Sequence, residues 1–120
     1  MIPLTQFDNL PLRGGFIISR VRRSQEPLVD ALGREAVAET RVTGQRFELV
    51  LSAGQSDEEL SVSLYHEILE AAAVACHDPP ASVINFNEGD FEQAAQLMHT
   101  TLGEASPDNL DRMLQHFGFS

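Results

Sequence analysis

The hydrophobic pattern changes period at Ser56, and that change orders everything the chain can build. From Phe16 to Leu51 apolar residues mostly alternate with polar ones, as a strand buried on one face requires. Beyond Ser56 they recur every three or four residues, as along a helix. Phe16-Ile17-Ile18-Ser19-Arg20-Val21-Arg22 begins β-branched and then alternates, so it reads as a strand. Two further alternating runs, Ala36 to Val42 and Arg46 to Leu51, flank Thr43-Gly44-Gln45, whose glycine can take the positive φ of a tight hairpin. Met1 to Gly15, with its prolines and paired glycines, reads as an extended arm. Leu28 to Gly33 reads as a loop or a single helical turn.

Ser56-Asp57-Glu58-Glu59 has the form of a capping box, so a helix is expected to start there. Its stripe runs through Leu60, Leu64, Ile68, Ala71, Ala72 and Ala75 until His77-Asp78-Pro79-Pro80 stops it. A second helix is expected from about Glu88 to Leu102, with Phe91, Ala94, Ala95, Met98 and Leu102 on one face. Ser106-Pro107, a cap followed by proline at the first helical position, opens a third. Strands followed by helices predict an α+β fold. Three helices should cover one face of a small, mostly antiparallel sheet made of the N-terminal strand and the hairpin. With 120 residues and no repeat or linker, residues 1–120 are expected to form one domain.

Charge narrows the partners. Eighteen acidic residues against eight basic ones leave −10, so nucleic acid and anionic membrane surfaces are expected to be repelled. The lone Cys76 has no internal disulfide partner, and with no export leader apparent the expected compartment is the cytoplasm.

The central helix carries Tyr65-His66-Glu67-Ile68-Leu69-Glu70. Residues four apart share a helical face, so His66 and Glu70 can point together at a metal ion, with Glu67 beside them to take a proton from water. The plainer alternative is a helix histidine hydrogen-bonded to one carboxylate among solvated glutamates.

The hairpin, the motif helix and the acidic opening of the next helix, Asn87-Glu88-Gly89-Asp90-Phe91-Glu92-Gln93-Ala94-Ala95-Gln96-Leu97-Met98, together resemble the small zincin-like metallopeptidases. The likeness is to the ImmA/IrrE type and to compact phage-encoded zincin-like proteins, over roughly Phe47 to Leu102. It implies a metal-dependent hydrolase acting on a polypeptide that one hairpin strand holds extended. His66 becomes the first metal ligand, Glu70 the occupant of the second ligand position and Glu67 the general base. The third ligand comes from the following helix. Glu92 is preferred because it shares a face with Ala95 and Met98, while Asp90, Glu88 and His99 stay open. The usual second histidine is replaced here by Glu70. The resemblance implies zinc, but two carboxylates beside one imidazole favour a harder divalent ion such as manganese or iron. The alternative is a catalytically inactive scaffold that binds no metal and serves as a protein-interaction module.

Other groups offer less. His77 suits the end of the first helix, and His99 could donate to an oxyanion. Asn85, Asn87 and Asp90 lack the spacing of a calcium loop, and Ser61 and Ser63 lack a nucleophile elbow.

Overall fold

The computed structural model describes residues 2–120. Its strands are β1 (Leu10–Pro11), β2 (Ile17–Arg23), β3 (Leu28–Val29), β4 (Glu35–Ala36), β5 (Ala38–Thr43) and β6 (Arg46–Leu51). Three helices follow: α1 (Asp57–Ala75), α2 (Glu88–Leu102) and α3 (Pro107–His116). The architecture is the expected α+β arrangement, with a four-stranded sheet ordered β1-β2-β6-β5 and a separate two-stranded pair, β3-β4.

Two of the three pairings in the main sheet are antiparallel, whereas β2 and β6 run parallel. The cause is connectivity. Arg23, the end of β2, lies beside Leu51, the end of β6, so the chain must travel back the length of the sheet before β6 begins. The β3-β4 pair and β5 make that return, which leaves β5 on the outer edge. Gly44, at φ 62°, turns β5 into β6 across the Thr43–Arg46 pair, as the alternating runs predict. Leu28 to Gly33 differs from the expected loop or helical turn. It enters the small β3-β4 pair because the Asp30 carboxylate accepts from the Leu32 and Arg34 backbone N–H groups and so closes a tight turn.

Alternation puts Phe47, Leu49 and Leu51 on the helix-covered face, and in β2 a shift of register between Ile18 and Arg20 lets both Ile18 and Val21 be buried while Arg20 and Arg22 stand in solvent. The N-terminal arm is more than a tether. A 3₁₀ turn at Leu4–Phe7 sets Phe7 into the core beside Ile2 and Leu12, and Phe16 stacks on Phe47 at 5.4 Å. Each such aromatic buried contributes about 1.5–3 kcal/mol.

All three helix starts are capped, two of them, at Ser56 and Ser106, as the sequence predicts. Ser56 and Glu59 close a reciprocal box on α1, Asn87 and Asp90 do so on α2, and Ser106 caps α3 ahead of Pro107. Helix α1 is buried on more sides than one stripe suggests. Besides Leu60, Leu64 and Ile68, the residues Ser61, Tyr65, Leu69 and Ala72 are enclosed. The Tyr65 hydroxyl donates to the Gly103 carbonyl at 2.8 Å, which ties α1 to the end of α2. Sandwiched this way, α1 presents the polar side chains of its middle turns along the narrow seam it shares with α2 and β5. Among the described residues, no helix is long and apolar enough to cross a membrane.

Candidate metal centre

That seam holds the polar residues of the motif. Near the middle of α1, His66 projects toward α2, which runs antiparallel to it and supplies Glu88 and Glu92 from consecutive turns of one face. His66 Nδ1 lies 3.0 Å from Glu92 Oε1. Its other nitrogen, Nε2, lies 3.2 Å from Glu88 Oε2, 3.6 Å from Glu70 Oε2 and 3.9 Å from Glu67 Oε2. Four carboxylates therefore surround one imidazole whose side chain is 13% exposed. Phe91 backs the ring, with centroids 6.2 Å apart.

The other ends of these groups are anchored. Thr40, on the edge strand β5, donates its hydroxyl to Glu67 Oε1 at 2.7 Å, and Gln96 donates to Glu92 Oε2 at 2.9 Å. Glu70 differs: its Oε2 is buried and has no hydrogen-bond partner among the described residues. A buried carboxylate oxygen without a donor costs roughly 1–3 kcal/mol or more, so such an atom calls for an explanation.

A divalent cation held there would supply one. The ligating atoms of His66, Glu70 and Glu88 all fall within 4.8 Å of one another. Bonds of about 2.1 Å in a tetrahedral shell set neighbouring ligand atoms roughly 3.4 Å apart. The separations of 3.2 and 3.6 Å from Nε2 to Glu88 and Glu70 bracket that value. The donor set of one nitrogen and several carboxylate oxygens fits zinc and suits manganese or iron(II) at least as well.

Titration follows from the crowding. Burial alone pulls the His66 pKa down, but its contacts with Glu70 and Glu92 and the charges of Glu67 and Glu70 outweigh burial and raise it to about 9. Burial pushes the Glu67 carboxyl above its ordinary range, against the opposing pull of Thr40 and His66. His66 holds Glu70 below the ordinary range, while Glu88 is raised chiefly by the neighbouring Glu70 carboxyl. Without a metal, the His66 proton stands where the cation's charge would be.

Of the residues singled out from the sequence, His66, Glu67, Glu70 and Glu92 come together. Glu92, the preferred third ligand, approaches Nδ1, whereas Glu88 shares the Nε2 side with Glu70. Asp90 accepts from the Asn87 N–H and is spent on capping α2. His99 lies three turns beyond Glu88, roughly 16 Å along the helix, and its Nδ1 meets Ser61 Oγ at 2.8 Å. Glu88, Glu92, Gln96 and His99 form an i, i+4, i+8, i+11 polar stripe, a signal in the sequence that favours Glu88 as much as Glu92. Thr40 left no such signal, because only the packing of β5 against α1 places it.

Comparison with known proteins finds no match: no family model fits the chain, and no curated protein or solved structure is significantly similar to it.

Proposed function

We propose that the chain is a small zincin-like metal-dependent hydrolase acting on polypeptides in the cytoplasm. The observation that carries the proposal is the buried Glu70 Oε2, which accepts no hydrogen bond from the described residues and lies 3.6 Å from a His66 Nε2 that also faces Glu88. In this reading His66, Glu70 and Glu88 hold the ion, and Glu88 takes the ligand role first given to Glu92. A divalent cation so held supplies Lewis-acid polarisation of a carbonyl and makes a water more acidic. Glu67 would stand beside such a water as its proton acceptor, and its raised pKa brings it nearer to neutrality, where a general base works best. Thr40 aims the Glu67 carboxylate, and Glu92, held by Gln96, fixes the orientation of His66. Polypeptide is the favoured substrate class because β5 is the edge of the sheet and its Thr40 touches Glu67. A chain added along that edge would pass the general base.

A second reading has its own support. With His66 raised to about 9, an imidazolium can neutralise the cluster without any metal, as in a catalytically inactive scaffold that binds a protein partner.

The two separate on metal content, measured by mass spectrometry on protein purified without chelators or metal-affinity tags. Near-stoichiometric metal, lost in His66→Ala, is expected for the hydrolase. A metal-free protein, indifferent to chelators in its melting, would overturn that reading and leave the scaffold.

A further inference from the structure

A cavity of about 480 Å³ opens where the start of β5 meets the seam between α1 and α2. It adjoins the candidate centre, because Glu92, whose Oε1 lies 3.0 Å from His66 Nδ1, also lines it. Its walls combine two chemistries. Val37 and Val62 are apolar, while Glu58 and Glu59 bring carboxylates to its solvent side. The chain has no lysine, and none of its eight arginines lines the cavity.

The negative charge there is largely uncommitted. Glu59 Oε1 accepts the Ser56 N–H, which keeps that carboxyl below its ordinary range, and its Oε2 has no hydrogen-bond partner among the described residues. Glu58 is exposed and pairs with none of them. The walls are also braced. Buried Ser63 donates to Gln55 Oε1, and Gln55 Nε2 donates to the Val37 carbonyl at 2.9 Å, so α1 and the start of β5 are held apart at a set width.

We propose that this cavity is a specificity pocket for a lysine or arginine side chain of an extended polypeptide laid along β5. A long basic side chain has the form the pocket asks for. Its methylene stem lies against Val37 and Val62, and its cationic head reaches the Glu58 and Glu59 carboxylates at the wet end. An acidic side chain would meet like charge, and an apolar one would leave the carboxylates unused. Because the walls are braced beforehand, little ordering is left for binding to cost.

The inference rests on the reading that the site takes a polypeptide, but it can be tested without metal or cleavage. Two fluorescein-labelled ten-residue peptides, uncharged and identical except for a central lysine or norleucine, are titrated against Glu67→Gln protein, and anisotropy is recorded. The lysine peptide should bind about fivefold more tightly. The ratio should fall to near one when Glu58→Gln and Glu59→Gln are combined. Glutamine at position 59 can still return the capping bond to Ser56, so the variant keeps its helix start. Glu104→Gln, at an exposed residue outside the cavity, should keep the preference. Equal or absent binding of both peptides overturns the pocket. So does an equal loss in Glu104→Gln, which would assign the preference to the overall −10 charge. A lysine preference that persists in metal-free His66→Ala protein upholds the pocket even where the hydrolase reading fails. Metal-dependent cleavage with no basic preference overturns the pocket and leaves the hydrolase standing.

Discussion

His66 and Glu92 meet across the seam of α1 and α2 with Nδ1 and Oε1 3.0 Å apart, and this contact turns the other imidazole nitrogen toward Glu70 and Glu88. A histidine ligand whose second nitrogen is held by a carboxylate is fixed in orientation and made a stronger donor. In the hydrolase reading Glu92 would thus contribute without touching the ion.

The division of roles predicts an order of losses. Glu92→Gln should weaken metal binding about 10- to 100-fold, as the loss of an orienting partner does. Glu70→Gln and Glu88→Gln should weaken it further. Calorimetric titration with zinc and with manganese checks this, and a larger loss in Glu92→Gln than in Glu88→Gln would exchange their roles.

Glu67→Gln should lower peptide turnover by at least about 10²-fold with metal content unchanged. Thr40→Val acts more subtly. The Thr40 hydrogen bond lowers the Glu67 pKa, so its removal should raise that pKa and move the acidic limb of the pH–rate profile to higher pH. An unmoved limb would separate Thr40 from the base.

In the metal-free protein His66 should titrate at about 9, seen as a late-shifting ring resonance by NMR. Its folded pKa lies above the unfolded value of 6.5, so the associated stability is fully present below pH 6.5 and is lost as pH rises through 9. Urea melts of wild type and His66→Ala across that window should differ in slope. Because metal and proton compete for the same imidazole, metal affinity should rise over the same range.

Tyr65→Phe removes the hydroxyl that donates to the Gly103 carbonyl and should cost about 1 kcal/mol in urea unfolding. Metal content should not change. A parallel loss of metal would mean that docking of the α2 end also sets the position of Glu88.

Much of the fold was legible because its signals are local. The Ser56 box, Ser106-Pro107, the Gly44 turn and the two hydrophobic periods each act over a few residues, and the structure places each element close to where those residues demand it. The arm was misjudged for the opposite reason. Ile2, Phe7 and Leu12 show no periodicity, yet they are buried because the sheet and helices leave a gap that only they fill. The small β3-β4 pair hangs on the Asp30 side chain turning back on its own backbone.

The sequence by itself determined that His66, Glu67 and Glu70 lie on consecutive turns of one helix, because helical geometry depends only on their spacing. It also determined that an acidic helix start follows in Glu88 to Glu92. Only the tertiary structure decided which carboxylate faces which imidazole nitrogen, that β2 pairs parallel with β6, and that β5, with Thr40, becomes the edge beside Glu67. Those outcomes depend on how α1, sandwiched between sheet and helices, is rotated and set in depth against its neighbours. That rotation is fixed by the summed burial of residues far apart in the chain, which no local pattern records.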